Sequence, residues 1–147
     1  MTSLTSKRII AIDDTHSILT FLRISLEALG VEFHGAATAA GGIALCETAQ
    51  PDLVVLDLGL PDQEGLNILP RLKRLYKDRN LPVIVLTVRK EQESLEAASK
   101  LGANAYVTKP FIMDDLIEVI RRCLDGGNNH SKRDAKSTGT AAFAGTA

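Results

Sequence analysis

Leu53-Val54-Val55-Leu56 is an unbroken aliphatic run of strand length, and it ends on Asp57. A strand with one face in water alternates apolar with polar residues; this run has no polar side, so both of its faces must be covered. Ile9-Ile10-Ala11-Ile12 and Val83-Ile84-Val85-Leu86 have the same character, and they end on Asp13-Asp14 and on Thr87. With Glu32 to Ala36 and Ala105 to Thr108 they make five strand-like runs.

Five amphipathic stretches lie between and after these runs. From Ser17 to Leu29, Ile18, Leu22, Leu26 and Leu29 form one helical stripe. Leu66, Leu69, Leu72 and Leu75 do the same between Glu64 and Tyr76, as do Leu116, Ile117, Ile120 and Leu124 between Met113 and Leu124. Strand and helix therefore alternate, which predicts an α/β fold: a doubly wound, five-stranded parallel sheet with helices on both faces. Functional residues are then expected outside the carboxyl ends of the strands.

Residues 1–6 read as an N-terminal extension and residues 7–127 as one folded domain. After Asp125 the chain turns to Gly126-Gly127-Asn128-Asn129, and residues 128–147 have no apolar period, so that stretch is expected to be a disordered tail or a truncated linker. The whole chain of 147 residues is 45% hydrophobic and 24% charged with a net charge of −1, an ordinary globular balance without a basic footprint for nucleic acid. The apolar runs are strand-sized and no charged segment leads into one near the start, so a membrane span and a secretory signal are not expected. Cys46 and Cys123 lie in helix-like patterns with no CxxC spacing, which suits buried free thiols in a reducing cytoplasm.

The chemistry gathers at the strand ends: Asp13-Asp14 after the first run, Asp57 after the third, Thr87 after the fourth and Lys109-Pro110 after the fifth. One aspartate after a strand commonly caps a helix, but helix capping does not explain five polar residues at one sheet edge. Crowded carboxylates repel and call for a cation, and an all-oxygen site suits Mg²⁺, with Mn²⁺ as the alternative. Lys109 would offset part of the negative charge and hold an anion placed on Asp57, to which the Thr87 hydroxyl could donate. His16 and His34 are isolated and read as solvated. Arg71, Lys73, Arg74, Lys77 and Arg79 read as a solvated basic helix face with partner docking as the sharper alternative.

Over about Lys7 to Gly127 the chain resembles the response-regulator receiver domains of two-component signalling. The resemblance rests on Ile12-Asp13-Asp14, on Asp57-Leu58-Gly59-Leu60-Pro61-Asp62-Gln63-Glu64-Gly65, on Leu86-Thr87 and on Tyr106-Val107-Thr108-Lys109-Pro110-Phe111. It implies strand order 2-1-3-4-5 and phosphorylation of Asp57 by a histidine kinase or a histidine phosphotransfer protein. Asp13, Asp14, Asp57 and the backbone carbonyl of Gly59 would surround Mg²⁺, while Thr87 and Lys109 contact the phosphoryl oxygens. By the same resemblance Tyr106 reports the state by changing rotamer, the Lys109-Pro110 bond is cis, and the chain acts as no enzyme beyond its own phosphorylation and dephosphorylation. The output surface would be the helix around Gln92 to Leu101, the fifth strand and the helix from Met113 to Asp125, open to a downstream protein or to a second copy. Val88 stands where receivers usually carry a small residue, and it is expected to slow access to Asp57. Asn104-Ala105 lacks the acidic pair of winged-helix regulators and Val119 replaces their usual Arg, so their particular dimer is not implied.

The competing class is a phosphatase resembling the haloacid dehalogenases, which also combines an Asp nucleophile, a Ser or Thr, a Lys and Mg²⁺. That family sets its nucleophile early with a second Asp two residues on; here the acidic pair comes first and Gly59 holds the plus-two position. A flavin-binding relative of the same fold is disfavoured because Asp13-Asp14 would repel a phosphate.

Overall fold

The computed structural model describes residues 3–76, 78–126 and 140–142. In chain order the elements are β1 (Arg8–Ile12), α1 (His16–Glu27), β2 (Glu32–Ala36), α2 (Ala39–Ala49), β3 (Leu53–Leu56), α3 (Gly65–Arg74), β4 (Val83–Thr87), α4 (Gln92–Lys100), β5 (Ala105–Thr108), α5 (Met113–Leu124) and β6 (Thr140–Ala142). The strands lie in the order β2-β1-β3-β4-β5-β6, and the first five run parallel.

The period of two along each strand divides the core. Ile10, Ile12, Val54, Leu56, Val83 and Val85 point to one face, under Ile43 and Cys46 of α2, Ile68, Leu69 and Leu72 of α3 and Ala98 of α4. Ile9, Ala11, Leu53, Val55, Ile84 and Leu86 point to the other, under Leu22 and Leu26 of α1 and Leu116, Val119 and Ile120 of α5. Continuous aliphatic runs are what two covered faces require. Burial pushes the thiols of Cys46 and Cys123 up to about 12, so both are inert packing groups. α5 has the expected bounds, whereas α1 and α3 end two residues before the stretches expected for them, and Leu29, expected on the α1 stripe, lies beyond that helix at 37% exposure.

Two glycines are dictated by close approach. A Cβ on Gly42 would stand 2.4 Å from Ile12 Cδ1, so α2 can lie this near β1 only without a side chain there. A Cβ on Gly65 would stand 2.5 Å from the carbonyl oxygen of Asp57, which fixes how tightly α3 starts beneath the strand end.

The five parallel strands stand in the expected order 2-1-3-4-5, and a sixth is added at the edge: Thr140–Ala142 pairs antiparallel with β5, Tyr106 opposite Ala141. Residues 128–139 and 143–147 lie outside the described residues. Strand addition uses main-chain groups, which β5 would otherwise present unpaired at its outer edge, and it needs no apolar period in the added segment. Periodicity therefore could not reveal it. Asn104 donates its N–H to Val83 O at 2.8 Å, and alternation along the strand turns the N–H groups of Ala105 and Val107 towards β6. Ala142→Pro, which removes the N–H that faces Ala105 O, should speed hydrogen exchange at Ala105 and Val107 by about tenfold or more while costing only about 0.5–1.5 kcal/mol of global stability; exchange measured by NMR checks this.

The basic stretch is also corrected. Lys73 is no solvated residue: its ammonium donates to Leu81 O at 2.7 Å, Asn104 Oδ1 at 2.8 Å and Asn80 Oδ1 at 3.2 Å. It ties α3 to the starts of β4 and β5. Arg79 donates to Pro51 O at 2.6 Å, whereas Arg71 and Arg74 are exposed as expected; Lys77 lies outside the described residues. Burial pulls the Lys73 amine down from 10.5 to about 8. Between those values the unfolded chain binds the proton more strongly than the folded one, so this group adds stability as pH rises from about 8 towards 10.5. Denaturation of wild type and Lys73→Met at pH 7.5 and ~10 should show the difference between them moving in favour of wild type at the higher pH.

Candidate functional site

Each site residue is placed by the strand that precedes it. Asp57 donates its N–H to Ile12 O at 2.9 Å and Asp13 to Ala36 O at 2.9 Å, so both leave the sheet in register with their neighbours. Thr87 closes β4, and Lys109 follows β5 with its N–H on Thr87 O at 2.8 Å. Lys109-Pro110 is a cis peptide. Among the described residues Asp13, Asp57 and Thr87 are the buried polar ones, at 1%, 6% and 1% exposure, while Asp14 is exposed.

Carboxylate oxygens of Asp13, Asp14 and Asp57 all lie within 4.8 Å of one another. The Lys109 ammonium stands 2.8 Å from Asp13 Oδ2 and 3.3 Å from Asp57 Oδ2. Asp13 Oδ2 is buried, and the Lys109 ammonium is the charged group it faces. Burial drives the Asp13 carboxyl above its ordinary value and the Asp57 charge pushes the same way, while Lys109 and the Thr15 N–H at 2.9 Å pull it down. Three carboxylates facing one ammonium leave a surplus of negative charge. That surplus, with an all-oxygen donor set, fits a hard divalent cation.

The loop after Asp57 is built around that carboxylate. The Gly59 N–H reaches Asp57 Oδ1 at 3.3 Å, and Gly65 donates to Leu58 O at 2.7 Å. A Cβ on Gly59 would meet nothing within 4 Å, so packing within the chain does not explain the glycine. Asp62, quoted in the motif without a role, accepts from the N–H groups of Ala39 at 2.8 Å and Ala40 at 3.0 Å, anchoring this loop to the start of α2.

The structure brings Asp13, Asp14, Asp57, Thr87 and Lys109 to one rim, as the strand ends imply. Tyr106 is already inward, fully buried, its hydroxyl donating to Arg89 O at 3.0 Å. Val88, expected to crowd the approach to Asp57, is 66% exposed. His16 is exposed at the start of α1, and His34 pairs with Glu32 at 2.8 Å. Sequence reasoning missed Glu64 and Arg89, which form a two-pronged ion pair between the loops that follow β3 and β4. No spacing rule relates two loops 25 residues apart.

A model of the response regulator receiver domain matches residues 9–121, and the chain belongs to that family. The transcriptional regulatory protein KdpE of Mycobacterium tuberculosis is 40% identical over 113 residues, 77% of this chain and 49% of that protein. KdpE of Escherichia coli is 36% identical over 116 residues. The chain thus spans about half the length of these curated relatives. Among solved structures, a CheY-like receiver domain from Methanospirillum hungatei superposes with a TM-score of 0.77 at 35% identity, covering 82% of this chain and 95% of that one. The beryllofluoride-activated NtrC4 receiver domain, described as a dimer, gives 0.74 at 27% identity, covering 80% and 96%. The family match and the order of the motifs argue against the phosphatase class.

Like charges this close oppose one another in the folded state. Asp13→Asn should therefore raise the metal-free melting free energy by about 0.5–2 kcal/mol while weakening Mg²⁺ or Mn²⁺ binding roughly tenfold or more. Melting with and without the ion, together with a metal titration, reads both effects.

Proposed function

We propose that this chain is a phosphoacceptor module of two-component signalling, with Asp57 taking the phosphoryl group of a phosphohistidine on a histidine kinase or phosphotransfer protein. The observation that carries the reading is the Asp57 carboxylate, 6% exposed, between the oxygens of Asp13 and Asp14 and the Lys109 ammonium 3.3 Å away. An Asp57 oxygen attacks phosphorus, the bond from phosphorus to imidazole nitrogen breaks, and an acyl phosphate forms on the carboxylate. Two anions must meet for this, and Lys109 lowers that repulsion from a position fixed by Asp13. Asp13, Asp14, Asp57 and the Gly59 carbonyl would hold Mg²⁺, or Mn²⁺, which supplies positive charge to the phosphoryl oxygens. Thr87, buried at the end of β4, offers its hydroxyl to those oxygens. The acyl phosphate is labile, so water ends the signal.

Transmission runs from Thr87 through the loop that follows to Tyr106 and the face made by α4, β5 and α5. A downstream protein, or a second copy of the chain, would dock there. Since β6 lies along β5, pairing of two copies through this strand requires β6 to leave its edge. The domain itself is proposed to bind neither nucleic acid nor membrane and to work in the cytoplasm; among the described residues no helix is long and apolar enough to cross a membrane. The output of the whole protein is reached by protein contact or through a further domain.

Incubation with acetyl phosphate and Mg²⁺ should add one phosphoryl mass to the wild type and none to Asp57→Asn, as read by intact mass. Thr87→Ala should still gain the mass, since nucleophile, Lys109 and carboxylates remain, but its Tyr106 signals should respond less to beryllofluoride. Phosphorylation of Asp57→Asn would defeat the assignment.

A further inference from the structure

One ion pair joins the two loops that border the Asp57 rim. Arg89, in the loop after β4, donates from Nη2 to Glu64 Oε1 at 2.9 Å and from Nη1 to Oε2, a fork on a fork. Glu64, just before α3, makes no side-chain cap hydrogen bond to that helix, so its carboxylate is committed to Arg89. Its backbone faces Gly59 in an isolated antiparallel bridge, which links it to the loop carrying Asp57. Arg89 is tied inwards at two further points: its carbonyl accepts from the Tyr106 hydroxyl at 3.0 Å, and its N–H lies 3.5 Å from Thr87 Oγ1. The arginine holds the Glu64 carboxyl below its usual range.

The loop after β4 otherwise depends on little. Val88 between Thr87 and Arg89 is 66% exposed, and Lys90 and Glu91 after them are exposed as well, so packing does not hold this segment. We propose that Glu64 and Arg89 are a latch that ties the loop after β4 to the loop after β3, slowing both the arrival of a phosphodonor at Asp57 and the loss of its phosphoryl group, and holding Tyr106 inward. The rate effect rests on the reading of Asp57 as phosphoacceptor; the hold on the loop and on Tyr106 does not. Arg89 lies against both Thr87 and Tyr106 through its N–H and carbonyl, so a shift of the loop with Thr87 towards a phosphoryl group carries Arg89 with it. Glu64 and Arg89 are thus positioning residues. The pair is only 38% and 29% exposed and two-pronged, which supports rate changes of about two- to fivefold.

The test is a double-mutant cycle on the full chain with Glu64→Ala, Arg89→Ala and the double variant. With acetyl phosphate and Mg²⁺, each single variant should gain and lose the phosphoryl mass about two- to fivefold faster than wild type, and the double variant no faster than either. In the unphosphorylated proteins, both single variants should show faster amide exchange at Arg89 and Lys90 and displaced Tyr106 ring signals. Slower phosphorylation of Arg89→Ala beside an unchanged Glu64→Ala would make Arg89 a cation that attracts the donor, and the latch would be wrong. Additive effects in the double variant would overturn it too. If the wild type takes up no phosphoryl group, the reading of Asp57 fails, and the latch is decided on amide exchange and Tyr106 alone: unchanged values in Glu64→Ala refute it.

Discussion

Repulsion among Asp13, Asp14 and Asp57, countered by the single ammonium of Lys109, is the constraint around which the rim is organised. Left in a flexible loop, three carboxylates within 4.8 Å would separate. They stay together because Asp13 and Asp57 are the residues that immediately follow β1 and β3, and those strands are locked by parallel pairing across Ile9 to Ile12 and Leu53 to Leu56. Lys109 reaches the same point from beyond β5, two strands away, and meets two of the three carboxylates. The apolar core on both faces of the sheet thus holds a charge arrangement that is unfavourable by itself and becomes useful when a cation or a phosphoryl group arrives.

How far this was legible in the sequence depends on the range of the interaction. The covered sheet follows from aliphatic runs such as Leu53 to Leu56, because burial on both faces leaves its mark on every residue of a strand. The five site residues follow from their places at the ends of those runs. β6 leaves no such mark, since three residues pair through their backbone, and residues 140–142 read like the rest of a small, polar tail. Lys73 sits among exposed Arg71 and Arg74, and only the fold brings Asn80, Leu81 and Asn104 around its ammonium. Glu64 and Arg89 meet because α3 and β4 lie between them, a closure that no local pattern encodes. Properties set by a residue's own neighbours were readable; pairings set by topology were not.

Tyr106 shows where the two kinds of information meet. Its place on β5, one strand from Thr87, marks it as a side chain able to fill space vacated beside that strand. The structure has that space already filled, with the ring fully buried and the hydroxyl on Arg89 O at 3.0 Å. What phosphate can add is a charged acceptor for the Thr87 hydroxyl, worth roughly 1.5–3 kcal/mol. That exceeds the roughly 0.2–1 kcal/mol expected of a partly exposed ion pair such as Glu64 with Arg89. The balance favours the new hydrogen bond by roughly 0.5–3 kcal/mol. A contact of this strength can hold the loop in the resting protein and still yield when Asp57 is charged, which is the condition for a two-state element that a single phosphoryl group can move. A stronger tie, such as a fully buried pair, would fix Tyr106 and Thr87 in one arrangement and leave the rim unable to signal its own chemistry.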